Sequence, residues 1–188
     1  LIALLFYSQL LIWKSREVKM ETLELSTPLS FGSRTIAVWM VLNSLIACLL
    51  VVSCGIGIAF QLIFRSGDIN WLLYTQLVVT IGWPAMLSAG MIVWLQLMTG
   101  KKYPGILAVA LFLLLTESRA GRQIGLQHPL TQFAKSYLPH YSDMNGYGAY
   151  WSVFINSMLF WTSLTVLISW LIIRWKSQRK NKSVLNFA

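Results

Sequence analysis

The side chains best suited to chemistry lie in the stretch between residues 118 and 148. His128, His140 and Asp143 carry imidazole and carboxylate groups, which are common metal ligands. A zinc peptidase of the usual helical type needs two histidines one turn apart with a glutamate between them. Here the two histidines are twelve residues apart and each adjoins a proline. A membrane enzyme that uses this loop is therefore kept only as an alternative hypothesis.

Nucleotide hydrolysis also lacks its usual residues. A P-loop follows the pattern G-x-x-x-x-G-K-[ST], because its backbone amides wrap around the phosphates. The Gly-Lys pair of this chain, Gly100-Lys101, is followed by Lys102 and preceded five residues earlier by Leu95. We therefore predict that the chain is not an enzyme and holds no catalytic residue, cofactor or metal.

Composition explains why catalytic side chains are scarce. Of 188 residues, 56% are hydrophobic and 11% are charged, against about 25% charged residues in an ordinary soluble domain. Residues 35–64 run thirty positions without an acid or a base. About 20 such residues cross the hydrocarbon core, and they must be helical because lipid offers the backbone no hydrogen-bond partners. The predicted fold is an all-α, polytopic transmembrane bundle, in which Cys48 and Cys54 are ordinary buried apolar residues.

Five hydrophobic segments are predicted, and Pro84 is expected to kink the third of them because it removes a backbone donor. The first segment starts without Met and would rise only about 20 Å as a helix. We expect it to be the truncated end of a spanning helix in a fragment of a longer chain. The segments are 1–13, 35–64, 71–98, 103–117 and 149–173, and the main connecting segments are 14–34, 118–148 and the basic tail 174–188.

The distribution of Lys and Arg predicts the topology. Alternating spans put segment 14–34, the turn around Lys101 and the tail on one side, with eleven basic residues against four on the other. Segment 14–34 and the C-terminus are therefore predicted to be cytoplasmic, and segment 118–148 lies outside. Anionic lipid on the cytoplasmic side accounts for the net charge of +9, so we predict no nucleic-acid partner.

Polar residues in the spans are mostly amides rather than charges. Apart from Glu117 at a helix end, the interior helices hold no acid, base or histidine, which argues against an ion-coupled transporter. The amides are expected to form interhelical hydrogen bonds rather than to line a substrate path. They include Asn43, Gln76, Gln96 and Asn156.

The two longest connecting segments allow more than one interpretation. In 14–34, an amphipathic helix around Met20 and Leu23 would end before Pro28 and could either anchor at the lipid interface or dock on a cytoplasmic partner. In 118–148, the turn formers Asp143, Asn145, Gly146 and Gly148 predict a capped turn before the last helix.

These two segments also resemble a known family, the ABC transporter permeases of the type-2 exporter class. The closest likeness is to the bacterial subgroup fused to a zinc aminopeptidase-like domain. The stretch WKSRE…METLELSTPLS resembles the family pattern that follows the second spanning helix, and Lys102-Tyr103-x-Gly105 is similar to an Asn-Lys-Tyr-x-Gly turn, with Lys101 in place of Asn. The most specific likeness is to a Ser-Asp-Met-Asn-Gly-x-Gly motif, and it covers Tyr141, Ser142, Asp143, Met144, Asn145, Gly146 and Gly148.

The resemblance implies helices two to six of a six-helix permease module in the bacterial inner membrane. A separate subunit at the cytoplasmic face would bind ATP and Mg, and a second permease half or a homodimer partner would complete the transporter. Segment 118–148 would be a re-entrant outer loop, and any peptidase domain would follow residue 188. The implied coupling segment contains Arg16, Glu17, Met20, Glu21 and Leu23. A membrane anchor or scaffold for an extramembrane domain is the main alternative function.

Overall fold

A computed structural model of the chain describes residues 2–17, 31–64, 71–99, 101–117, 133–134, 148 and 150–185. These residues form five α-helices, which confirms the all-α fold class and the number of hydrophobic segments. The helices are α1 (Ile2–Glu17), α2 (Phe31–Phe64), α3 (Trp71–Thr99), α4 (Lys102–Glu117) and α5 (Tyr150–Leu185).

Three of the helices are long and apolar enough to cross a membrane, namely α2, α3 and α5. Their apolar parts have 33, 29 and 25 residues, and each exceeds the roughly 20 residues that a spanning helix needs. The 16 residues of α4 rise only about 24 Å as a helix, which is short of the hydrocarbon thickness of about 30 Å. Length and composition thus support the helical membrane-protein character.

Three helix boundaries differ by four residues or more from those predicted, and one of them is the start of α2 at Phe31 rather than at residue 35. The helix α1 continues past residue 13 to Glu17, and α5 continues past residue 173 to Leu185, so both enter segments that were predicted as loop or tail. The added residues are rich in Lys, Arg, Glu and Gln, which are good helix formers. A helix that leaves an apolar environment therefore has no local reason to stop where its side chains become charged.

The centre of the bundle is α3, which packs against each of the other four helices. In its most apolar stretch 39% of residues are buried, against 6% in α2 and 17% in α5. One hydrophobic cluster joins α3 to α1, α2 and α4 around Leu42, Ile92 and Val109. A second cluster joins α3 to α5 around Leu87, Phe154 and Met158. The helix that carries Pro84 is therefore the one that holds both halves of the core together.

Helix ends come together in two places. Lys14 near the end of α1 and Lys102 at the start of α4 line the same shallow depression. Gly32 at the start of α2 lies against Ile173 of α5, so close that an added Cβ would be 3.3 Å from the isoleucine Cγ2. The end of α1 therefore lies near the start of α4, and the start of α2 lies near α5, while the side of the membrane that these ends face stays a prediction.

The second half of α2 is largely uncovered. Apolar side chains such as Val51, Ile56 and Phe60 are exposed there, and an added Cβ on Gly55 would meet nothing within 4 Å. Both cysteines are free thiols, but Cys48 is exposed and Cys54 is half-buried, so the prediction that both are buried is wrong for the protein interior. In a bilayer this surface would contact lipid or further helices, since lipid tails are as apolar as leucine.

Candidate functional site

The candidate site is a cleft of about 300 Å³ between the start of α2, the second half of α3 and the middle of α5. Its floor belongs to α3, where Val93 is completely buried and Leu87 nearly so. Its rims belong to the outer helices, where Ile36 of α2 and Val166 of α5 are exposed. The cleft therefore opens sideways, between α2 and α5, towards the surroundings of the bundle.

Aromatic rings and hydroxyl groups both line this cleft. The lining has no charged side chain, and its wall surface is predominantly apolar. The lining includes three tryptophans and three residues with hydroxyl groups, namely Trp39, Trp94, Trp170, Thr35, Thr165 and Ser169.

Several of the polar hydrogens in these walls are already used within the protein. Ser169 Oγ donates to the carbonyl of Thr165 at 2.6 Å, and Thr165 Oγ1 donates to the carbonyl of Trp161 at 2.9 Å. The indole Nε1 of Trp39 donates to the carbonyl of Met86 across the helix interface at 3.3 Å. These groups make little demand for a polar ligand, so the cleft is suited to an apolar one.

Gly90 determines how closely the α2 wall approaches the floor of the cleft. A Cβ added at this position would be 3.1 Å from Trp39 Nε1, a distance that forces the indole to move. The absence of a side chain at Gly90 therefore allows the Trp39 ring to lie against α3 and to donate to Met86. A run of small residues, Ser88-Ala89-Gly90, gives α3 this close-packing surface.

Arginines adjoin the cleft lining in the sequence of both α2 and α5. Arg34 directly precedes the lining residue Thr35, and Arg174 directly follows Ile173. The Arg174 guanidinium lies over the ring of Trp170 at 5.1 Å from the ring centroid and is exposed. Gly32 contacts Ile173, so α2 and α5 meet close to the two arginine positions in the sequence.

Hydrogen bonds fix α3 to its neighbours at several depths. Gln96 Nε2 donates to Ser8 Oγ of α1 at 2.9 Å, between two side chains that are completely buried. Trp83 Nε1 donates to Thr162 Oγ1 of α5 at 3.0 Å. Tyr74 Oη donates to the amide oxygen of Gln61 in α2 at 2.9 Å. Together with the Trp39 bond, these contacts tie α3 to α1, α2 and α5.

The predicted role of the intramembrane amides is confirmed for Gln96. The amide oxygens of Asn43 and Gln76 are buried and have no hydrogen-bond partner among the described residues, and Asn156 is exposed. Pro84 lies inside α3, which is continuous from Trp71 to Thr99, and its carbonyl accepts a hydrogen bond from Ser88 Oγ at 2.8 Å. The kink itself stays a prediction.

Two residues between α4 and α5 form a buried turn. Phe133 and Ala134 are 8% and 3% exposed, and Ala134 has a positive φ of 53°. The Phe133 ring makes edge contacts with Phe112 of α4 and Trp161 of α5, with centroids 5.4 and 5.0 Å apart. Two residues from between α4 and α5 therefore fill a space among the helices, which the sequence did not single out.

Most of the residues predicted as functional lie outside the described part of the chain. Arg16 and Glu17 form the last turn of α1, whereas Met20, Glu21 and Leu23 lie outside the described residues. The same holds for the motif from Tyr141 to Gly146, and for His128 and His140.

Gly148 is described and lies just before α5. Its φ of 52° favours glycine, and its carbonyl accepts a hydrogen bond from the Trp151 amide at 3.4 Å. This geometry is the predicted turn into the last helix. Among the described residues no group of three metal-binding side chains occurs.

Comparisons with known proteins identify no relative, since no family model, no curated protein and no solved structure matches the chain.

Proposed function

We propose that this chain is the membrane-spanning permease part of an ABC-type exporter in the bacterial inner membrane. It would move a substrate by alternating access while a separate cytoplasmic subunit binds and hydrolyses ATP. The likeness of residues 13–30 and 141–148 to the type-2 exporter class supports this function. The observation that carries it is that α2, the helix that follows the predicted coupling segment, forms one wall of the cleft through Thr35, Ile36 and Trp39.

The contacts of α1 and α2 supply a mechanical path from the coupling segment to the cleft. Segment 14–34 joins the end of α1 to the start of α2, and both helices are hydrogen-bonded to α3. A displacement of this segment by a partner subunit would therefore act on α3 from two sides. Because packed helices have discrete arrangements rather than continuous ones, such a displacement would switch the cleft between two states.

Pro84 offers a place for α3 to change shape. Proline has no amide hydrogen, so the helical hydrogen bond to the carbonyl of Thr80 cannot form. Next to it, Trp83 is bonded to Thr162 of α5, and two residues further Met86 accepts the Trp39 bond. A bend at this position would change the spacing of the α2 and α5 walls.

Co-purification of the full encoded chain with an ATP-binding subunit tests the function. We expect such a subunit to co-purify with the native protein and to be lost when the charges of Arg16 and Glu17 are reversed together. Lys101→Glu is the matched control, because Lys101 is exposed on a turn predicted to face the same side. If no ATP-binding protein accompanies the native chain, the exporter function is wrong.

A membrane anchor or scaffold for an extramembrane domain is the second candidate function. It is favoured by the uncovered apolar half of α2, which would suit a passive helix in lipid as well as a contact with a second permease half. A membrane enzyme remains the third, and zinc bound to the native protein but absent from a His128→Ala, His140→Ala variant would favour it.

A further inference from the structure

We propose that the cleft between α2, α3 and α5 binds one acyl chain of an anionic phospholipid that enters sideways from the bilayer. The proposal rests on the proposed function only in treating this cleft as the working site of the chain. Its three supports are the direction of the opening, the length of the apolar floor and the charge at one end.

The opening faces lipid rather than water. Both rims lie on helices long enough to span the membrane, and the exposed rim side chains Ile36, Val166 and Trp170 are apolar or aromatic. A ligand that enters here must come from the hydrocarbon region. The Ser169, Thr165 and Trp39 hydrogens already have acceptors in the protein, so an apolar chain leaves none of these three donors unsatisfied.

The length of the cleft matches one leaflet. The floor runs from Met86 to Trp94 and the α5 wall runs from Thr165 to Ile173, and each stretch rises about 12 Å. Half of a hydrocarbon core of about 30 Å is about 15 Å. The cleft therefore accommodates a chain from one leaflet, with a volume of about 300 Å³ that suits a single chain better than a whole lipid.

The basic end selects the headgroup. In the sequence, Arg34 directly precedes Thr35, the first lining residue of α2, and Arg174 directly follows Ile173, the last lining residue of α5. An acyl chain lying in the cleft would place its headgroup beside these side chains. The Arg174 guanidinium is exposed above Trp170, and the lining residues include no acid to compete for it. A phosphate headgroup with a net negative charge satisfies this arrangement, whereas a zwitterionic lipid gains less from it.

Photo-crosslinking in nanodiscs tests the proposal without an ATP-binding subunit. The full chain is placed in phosphatidylcholine nanodiscs that contain a trace of phosphatidylglycerol with a photoreactive acyl chain, and labelled peptides are mapped by mass spectrometry. We expect labels in residues 35–39, 86–94 and 165–173. A phosphatidylcholine probe with the same acyl chain should label these peptides several-fold less.

Two pairs of variants separate chain binding from headgroup binding. Ser169→Phe fills the cleft and should reduce labelling at least tenfold, whereas Ser163→Phe adds the same ring at an exposed position of the same helix and should leave it unchanged. Arg174→Gln should reduce labelling by the anionic probe about fivefold, which corresponds to about 1 kcal/mol, and should not affect the zwitterionic probe. Lys101→Gln is the control variant, because it removes one positive charge away from the cleft and should leave labelling by both probes unchanged.

Equal labelling of the Ser169→Phe and Ser163→Phe proteins would overturn the proposal, as would equal labelling by the two headgroups. Cross-linking of Ser169→Cys to the same residue of a second copy would overturn it too, because the occupant would then be protein. If the Ser169→Phe protein does not fold, the Arg174→Gln variant still tests the proposal, because a substitution at an exposed position leaves the fold intact. If no ATP-binding subunit co-purifies with the native chain but the cleft peptides are still labelled by the anionic probe, the exporter function is refuted and the lipid site is not.

Discussion

The buried pair of Ser8 and Gln96 allows a sharp test of how α1 is held to α3. Both side chains are completely buried, and the Gln96 amide donates to Ser8 Oγ at 2.9 Å while Ser8 donates to the carbonyl of Leu5 at 2.8 Å. The other polar atom of Gln96, its amide oxygen, has no hydrogen-bond partner among the described residues. One polar atom of Gln96 is therefore hydrogen-bonded and the other is not. Replacing Ser8 and replacing Gln96 should for this reason change the free energy of unfolding by different amounts.

Ser8→Ala should destabilise the protein more than Gln96→Met does. The alanine leaves the Gln96 amide buried without the acceptor that Ser8 provides, and an unsatisfied buried group costs about 1–3 kcal/mol. The methionine removes an interhelical bond that averages about 0.6 kcal/mol in membranes, but it also removes the unpaired amide oxygen at similar volume. We expect its free energy of unfolding to stay within about 1 kcal/mol of the native value.

Unfolding in mixed micelles, followed by helical circular dichroism over a denaturing-detergent titration, measures these differences. The double variant Ser8→Ala, Gln96→Met should be about as stable as Gln96→Met alone. Once the Gln96 amide is gone, residue 8 has no hydrogen bond to accept, so the loss of the Ser8 hydroxyl costs little more. A coupling energy near zero, or a larger loss for Gln96→Met than for Ser8→Ala, would refute this account of the α1–α3 contact.

Two further predictions concern packing. Gly90→Val should lower the free energy of unfolding by about 1–3 kcal/mol, because its Cβ would press on Trp39, whereas Gly55→Val at an open position of α2 should have little effect in the same titration. Phe133→Ala should release the buried turn between α4 and α5 and make it sensitive to protease in nanodiscs, at a cost of about 3–5 kcal/mol, and Phe160→Ala on the exposed face of α5 is the control. Unchanged protease resistance of the Phe133 variant would mean that other residues hold the turn.

The sequence alone determined the class of the protein and the position of its helices. Hydrocarbon provides no hydrogen-bond partner for the backbone, so an uncharged run of sufficient length must be a helix, and segments such as 71–98 were found to within a residue or two. The polar residues inside such runs are few, so the interhelical role of Gln96 also followed from its type and place. The coupling segment and the 141–148 motif stay predictions, apart from the turn at Gly148.

The tertiary structure alone decided which helix is central and where a cleft opens. Lipid tails and protein cores are similarly apolar, so nothing in the composition of a spanning helix separates its lipid-facing side from its packed side. The contacts that make α3 the centre join residues far apart in the chain, such as Trp83 with Thr162 and Gln96 with Ser8. The cleft exists only in the packed bundle, because its walls come from three helices that are far apart in the sequence.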